Sequence, residues 1–428
     1  MGIFLQKYFD LTKINTSFSF APFYQFLQKR IENEDDVKRK MLQYFATRIE
    51  EAGVQERDIH ADELPKYKDL LDILYVSLTS ITIDGTRDIW GITAPFMSTF
   101  AYGTPSLYKS FIDVETGWLK PEFISNFKEI GMVALKNIYK TILHQVYNLA
   151  HQSKDEFIYK YLDHNTGLYR FYKINFNHDF IDIKCNSELP EIDETVINGI
   201  TDDDNFLRYM LKTLPLTEFR FRGFGVLTIT DVTQQQSLDH IKERLWKLKA
   251  DDSCHEPLFE DLQIAVKSLL GSNKIEIGAM PFILLNNKMV RHAGEGLLTN
   301  TTLDETEIRA FFKEIEASGK PLIINDVREA PVTSLFIAKL LDSTPYVSYA
   351  AIPILYQQKV LGIMELYAAE PGLITSEKIK LLENLYAELA QLMKMGHEIF
   401  EHSIREVISD HFTVIQPSVA WRFNEVAL

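Results

Sequence analysis

Ser348-Tyr-Ala-Ala-Ile-Pro-Ile354 and, shortly after it, Gln357-Gln-Lys-Val-Leu-Gly-Ile-Met-Glu-Leu366 alternate with period two, and Gln357-Gln358 sits between them as a hairpin turn. Strands are expected over Ser348 to Tyr356 and Val360 to Tyr367. Ser348, Ala350 and Ile352 share one face, and Tyr349, Ala351 and Pro353 the other. On the second strand Gly362, Met364 and Leu366 oppose Ile363, Glu365 and Tyr367. Both faces are largely apolar, as in a sheet covered by helices on both sides. The neighbouring segments supply the cover. Helices are expected at Leu258 to Leu270, at Thr302 to Ala317 with Asp304 and Glu305 in the first turn, at Val332 to Leu341, and from Ser376 onward. A further strand is expected at Ile275 to Leu285, closed by an Asn286-Asn287 turn, and a short one at Pro321 to Asn325 leads to Asp326.

Upstream the periodicity differs. From Ala21 to Asn148 it is mostly helical. Phe23, Phe26, Leu27 and Ile31 form one apolar stripe, and Val37, Met41, Tyr44, Phe45 and Ile49 form the next. Further helices are expected at Tyr67 to Leu78 and Phe123 to Tyr147. Between 151 and 250 strands return. Phe157, Tyr159 and Tyr161 alternate up to an Asn165-Thr166-Gly167 turn, followed by Tyr169 and Phe171, then Ile181, Ile183 and Cys185. Phe219 to Thr230 reads as one strand, and Asp231-Val-Thr233 opens a helix. The fold class is therefore multidomain α+β. It comprises an N-terminal helical bundle at 1–150, a middle α+β unit at 151–250, a C-terminal antiparallel sheet with helices on both faces at 251–400, and a packing tail at 401–428. The tail is assigned on His411-Phe-Thr-Val-Ile-Gln-Pro-Ser-Val-Ala-Trp421, which is too apolar for a free terminus.

The 428 residues carry a net charge of −15, which disfavours nucleic acid and anionic lipid as whole-surface partners. Two cysteines, Cys185 and Cys254, cannot build a disulfide framework or a four-cysteine zinc site and fit a reducing compartment. No apolar run approaches the ~20 residues of a membrane helix. A cytoplasmic location and no membrane insertion are expected.

The paired strands, followed by a helix with Leu381-Leu382, Leu385, Ala387 and Leu389, resemble the end of a GAF domain, and Ile324-Asn-Asp326 resembles the Asp-containing strand end of that family. The likeness spans roughly residues 255 to 400. The whole chain also resembles GAF-containing proteins of bacteroidete-type bacteria, through Leu214-Pro-Leu216, Gly223-Phe224 and Asp231-Val-Thr233. The resemblance implies a six-stranded antiparallel sheet with a pocket between sheet and helices. Pockets of this family take cyclic nucleotides, tetrapyrroles, small metabolites or metal centres, and some take nothing, so the ligand does not follow from the fold. The middle unit stays unclassified beyond α+β, a degenerate sensor domain of GAF or PAS type being one reading of it.

Small Ala350 and Ala351 could leave room for a ligand or equally admit a close helix, with Met280, Phe282, Phe312 and Phe336 lining the same space and Ala350 and Met364 in the expected binding set. Asp326, Arg328, Ser348 and Glu365 are polar candidates for a contact. Asp326 and Ser348 join the expected binding set, while Glu365 is an oddity between apolar residues. Catalytic and metal motifs fail. His397 and His402 stand five apart, which turns the second ring ~140° from the first on a helix. Gly223-Phe-Gly225 lacks the third glycine of a dinucleotide loop and reads as a bulge or a close backbone approach. Sulfoxide reduction and bilin attachment, both known in the family, need pocket cysteines, and 255–428 has none. No metal is assigned and the cofactor stays open.

The expected function is a sensory or regulatory protein of bacterial signal transduction, not an enzyme, which binds an unidentified small molecule. Leu382, Leu385, Leu389 and Leu392 form a seam suited to a homodimer or to the helix's own sheet. The competing reading is a dimeric scaffold without ligand that docks protein partners through its helices.

Overall fold

The computed structural model describes residues 13–79, 89–97, 100–113, 120, 127–149, 157–200, 202–250, 256–285, 288–290, 295–329, 335–342 and 344–411. They fall into two compact units, Met1–Tyr159 with Tyr172–Asp231, and Lys160–Phe171 with Val232–Leu428.

The first unit contains β1 (Asn15–Ser19), α1 (Ala21–Ile31), α2 (Asp36–Glu51), β2 (Asp58–Ile59), α3 (Lys68–Leu78), β3 (Ile89–Thr93), β4 (Phe100–Gly103), α4 (Pro105–Phe111) and α5 (Phe127–Tyr147). A hairpin of β5 (Phe157–Asp163) and β6 (Leu168–Asn177) follows, its tip belonging to the second unit. Then come β7 (Ile181–Cys185), α6 (Glu194–Gly199), α7 (Asp203–Thr213), β8 (Phe219–Gly223) and β9 (Gly225–Asp231).

This differs from a helical bundle at 1–150 followed by a separate unit. Two sheets run in the orders β2-β1-β8-β7 and β4-β3-β9-β6-β5, so strands from both segments share each sheet. β1 lies parallel to β8, with Asn15 opposite Arg220, and β3 antiparallel to β9, with Ile89 opposite Ile229. The N-terminal strands are short and their partners are far along the chain, so no local signal marks them. The expected single strand Phe219 to Thr230 is divided at Gly223, whose φ of 132° only glycine adopts readily. A Cβ there would run into the carbonyl oxygen of Phe180, which instead accepts from the Phe224 amide at 3.1 Å. The close backbone approach expected at this motif is present, and it sends β8 and β9 into different sheets.

The second α2 stripe also shifts. Phe45, Ala46 and Ile49 are buried, whereas Val37, Met41 and Tyr44 are 72%, 45% and 57% exposed. The core side of α2 starts a turn later than the apolar spacing suggests.

The second unit contains α8 (Thr233–Ala250), α9 (Glu256–Leu270), β10 (Ile275–Pro281), β11 (Leu284–Leu285), β12 (Lys288–Met289), α10 (Leu297–Asn300), α11 (Glu305–Ser318), β13 (Leu322–Ile324), α12 (Leu335–Leu341), β14 (Ser348–Tyr356), β15 (Lys359–Ala368), α13 (Ser376–Glu383) and α14 (Tyr386–His411). Its main sheet is antiparallel, in the order β10-β15-β14-β13. The two expected strands pair from Ser348 opposite Ala368 to Tyr356 opposite Lys359, and Ile275 lies opposite Ala368 on the other side. Gln357 and Gln358 both take positive φ, the backbone of a tight hairpin turn. Among the described residues the sheet has four strands rather than six. β11 and β12 form a separate ribbon, and the Asn286-Asn287 turn lies outside the described residues.

Helices cover both faces. Ala350, Ile352, Ile354, Met364 and Leu366 pack with Leu245, Leu269, Leu382 and Leu385 from α8, α9, α13 and the segment before α14. Met280, Tyr349, Ala351 and Ile363 pack with Leu298, Ile308, Phe312 and Ile337 from α10, α11 and α12. The leucine seam therefore lies on its own domain: Leu382 and Leu385 are buried, and Leu389 and Leu392 pack on the same cluster. Residues 412–428, most of the apolar tail, lie outside the described residues.

Candidate functional site

Alternation along β15 puts Glu365 on the α10–α12 face with Ile363, opposite Gly278 on one side and Ala351 on the other. Small neighbours make the space for its carboxylate. A Cβ on Gly278 would lie 3.1 Å from Glu365 Oε2, and a side chain at Gly296, where φ is 143°, would run into the same oxygen. Glu365 is completely buried. Tyr349 Oη donates to Oε1 at 2.9 Å, and the Leu298 amide, in the first turn of α10, lies 3.2 Å from each oxygen. Among the described residues no cation forms an ion pair with Glu365 (the polar groups that hold it are a phenol and backbone amides).

Burial pushes the Glu365 carboxyl up to about 7, and the Tyr349 hydroxyl and the Leu298 and Leu297 amides restrain the rise. Burial, then the adjacent carboxylate, pushes the Tyr349 phenol well above its ordinary value, so it stays a donor. An acid balanced near neutrality in a buried site can accept a proton, a hydrogen bond or a cationic group.

The expected binding residues divide between two places and a rim. Met280, Phe282, Phe312 and Phe336 do come together on the Glu365 face, where the Phe282 and Phe312 rings stack at 4.8 Å and Phe336 stacks on Phe311 at 4.5 Å. Ala350 and Met364 do not join them. They point to the opposite face, beneath α8, α9 and α13, because strand alternation separates them from Ala351 and Ile363. Asp326 is occupied by Arg328, whose Nε and Nη2 donate to it at 2.8 and 2.6 Å, and it also accepts from the Arg328 amide at 3.0 Å. The Arg328 guanidinium holds the Asp326 carboxyl below its usual range. Ser348 Oγ reaches the carbonyl oxygens of Asn325 and Glu370 at 2.6 and 2.9 Å and ties together the loops at the sheet end. Glu365, Tyr349 and the Leu298 amide complete the polar centre. A carboxylate inside an apolar strand was its one visible sign; its partners lie in distant elements.

Elsewhere His397 pairs with Glu401 at 3.8 Å along the helix, and no group of three or more metal-ligating side chains occurs among the described residues. Cys185 is half-buried beside Ser187, and Cys254 lies outside the described residues. No described helix is long and apolar enough to cross a membrane.

The second unit is thus an antiparallel sheet between two helical layers, with a buried polar centre on one face. Residues 279–394 match the family model of the GAF domain. This part of the chain is a GAF domain. GAF domains are generally small-molecule sensory domains in signalling. The chain is similar to the GAF domain region of a protein from Geobacter sulfurreducens PCA, at 22% identity over 32% of this chain and 95% of that one, TM-score 0.24. It is also similar to the GAF domain of an Acinetobacter phosphoenolpyruvate-protein phosphotransferase, at 15% identity over 39% and 97%, TM-score 0.26. A third likeness is to the phycocyanobilin-bound GAF domain of a cyanobacterial phytochrome, at 16% identity over 38% and 95%, TM-score 0.28. No curated protein matches the chain.

Proposed function

We propose that this chain is a regulatory protein whose GAF domain senses a small molecule on the α10–α12 face of its sheet, with Glu365 and Tyr349 as the polar anchor and Met280, Phe282, Phe312 and Phe336 as the apolar wall. In this reading it acts by binding in the cytoplasm, in signal transduction, and performs no chemistry on its ligand. The observation that carries the reading is the buried Glu365, held by the Tyr349 hydroxyl and the Leu298 amide and paired with no cation among the described residues. Such a group costs stability unless a partner compensates it, so folds tend to hold one where it is used. The matching ligand is compact and apolar and presents an N–H donor or a cationic nitrogen. Binding regulates only when the ligand prefers one conformation of α10–α12 over another.

Thermal-shift screening of purified full-length protein against nitrogenous metabolites, nucleotides and tetrapyrroles tests this. A hit is expected to raise the Tm of wild type and to lose most of that effect in Glu365→Gln. A broad library without a hit, or a hit indifferent to Glu365→Gln, counts against it.

A second reading is a scaffold that docks proteins through its helices. The exposed Val37, Met41 and Tyr44 on α2 favour it. Substituting the three by Ser would then abolish partner capture at unchanged Tm, and no compound of the library would shift the Tm of wild type.

A further inference from the structure

A second polar cluster lies in the GAF-bearing unit, away from Glu365. The tip of the β5–β6 hairpin brings Lys160 and Tyr169, α8 brings His240 and Arg244, and α9 brings Asp261. Tyr169 Oη donates to Asp261 Oδ1, and the Tyr169 amide donates to Ser268 Oγ at 2.7 Å. Lys160 Nζ sits 3.8 Å from the Tyr169 ring centroid and 5.8 Å from that of Phe171, and His240 packs edge-on against Tyr169 at 5.7 Å.

His240 Nε2 is the hub. It stands 3.1 Å from Lys160 Nζ and 3.2 Å from Asp261 Oδ2. An ammonium only donates and a carboxylate only accepts. One ring nitrogen carries either a lone pair or a proton, so it cannot serve both neighbours at once. Asp261 Oδ2 is buried and, among the described residues, accepts no well-aligned hydrogen bond, but Arg244 Nε forms an ion pair with it at 2.5 Å. The lone-pair form of His240 accepts from Lys160 and leaves that oxygen to its ion pair with Arg244. The protonated form supplies the donor and puts a positive charge against Lys160.

We propose that His240 is a proton-operated latch: neutral, it holds the hairpin tip through Lys160; protonated, it turns to Asp261 and releases the tip. The charged groups around the ring are Lys160 from β5, Arg244 and Glu243 from α8 and Asp261 from α9, with Tyr169 from β6 beside it. α14 adds Glu388, paired with Lys242 at 3.6 Å. Burial first, then Lys160, lowers the His240 pKa from its ordinary value, while Asp261 opposes that. The sign follows. A histidine whose pKa is lower in the docked state binds protons more readily when undocked, so docking is complete above the ordinary histidine pKa and weakens as pH falls through it. The Asp261 carboxyl is also held low and so stays charged over that range.

The test is hydrogen exchange by mass spectrometry on the full chain between about pH 8 and about pH 5, corrected for intrinsic exchange. In wild type, protection of 160–171 is expected to fall about tenfold for each pKa unit by which docking lowers His240. His240→Gln, which cannot titrate, abolishes the pH step, and Lys160→Met shrinks it. Because a variant can misfold, the His240 ring is also titrated by NMR in wild type. A pKa below the ordinary histidine value with loss of tip protection over the same range supports the latch. An ordinary or raised pKa, or an unchanged pH step in His240→Gln, overturns it.

Discussion

Glu365 makes a stability signature of its own. Its pKa is about 7 in the folded chain against 4.5 for an unperturbed glutamate. Below 4.5 the carboxyl is protonated in both states. Between 4.5 and about 7 the unfolded chain releases the proton while the folded chain keeps it, so stability falls as pH rises through that window and levels off above it. The expected size is about 3 kcal/mol, from ~1.4 kcal/mol per pKa unit. Glu365→Gln has no such proton. Denaturant melts at about pH 5 and about pH 8 are expected to show that difference between wild type and variant; parallel profiles would refute the placement. Tyr349→Phe deletes the hydroxyl that restrains the Glu365 pKa. It is expected to cost about 1–3 kcal/mol and to move the midpoint of the same pH profile upward. Sequence showed the glutamate and its face, since alternation puts Glu365 with Ile363 and Tyr367. It does not show which face meets α11, so the expected set joins Ala350 and Met364 to Met280 and Phe312 across opposite faces of the sheet. The hydrogen-bond partners at Tyr349 and Leu298 come from elsewhere in the fold, and no local pattern announces them.

Elements are legible where their period is long and their contacts local. The β14–β15 pair reads directly from Ser348 to Leu366 because the strands are adjacent and the turn is tight. Helices α1, α3, α8 and α13 follow from spacing and caps, with Thr375 accepting from the Lys378 amide at the start of α13. β1 and β3 were hidden because their pairing partners, β8 and β9, come some two hundred and one hundred and forty residues later respectively, by the registers Asn15–Arg220 and Ile89–Ile229. One glycine joins those distant pairings. Gly223→Ala would place a methyl on the Phe180 carbonyl oxygen at a backbone angle alanine avoids. The expected loss is on the order of 3 kcal/mol or more, read as a lowered denaturation midpoint. Leu385→Ala asks a different question at the same scale. Leu385 is buried against the sheet's own cluster, so truncation is expected to cost about 2–5 kcal/mol and to leave the molar mass by light scattering unchanged. A change of oligomeric state at constant stability would instead return the seam to a dimer contact.

At the scale of the whole molecule, the chain is not three beads in sequence. The GAF-bearing unit runs from Val232 onward but also includes Lys160–Phe171, a piece of chain that precedes α8 by some sixty residues. Residues 160–171 serve that unit chemically: Tyr169 donates to Asp261, its amide to Ser268 at 2.7 Å, and the Phe171 amide to the Thr233 hydroxyl at 3.0 Å. The same hairpin's later residues pair with β9 in the other unit, with Tyr172 opposite Asp231. A boundary drawn at residue 250 from periodicity cuts through this arrangement, because local reading assigns a hairpin to the segment around it. A fragment of residues 232–428 therefore leaves Asp261, Ser268 and His240 without partners they have in the full chain. At about 1 kcal/mol per hydrogen bond, with the Tyr169 ring exposed as well, the deficit is on the order of a few kcal/mol. The fragment is expected to melt several degrees below the transition that reports α8 and α9 in the full protein. A fragment from 157 onward is expected to recover part of the loss, and to recover less of it at about pH 5 than at about pH 8 if His240 governs the seat of the tip. Equal melting of both fragments would show that the hairpin tip only rests on this unit and does not help to build it.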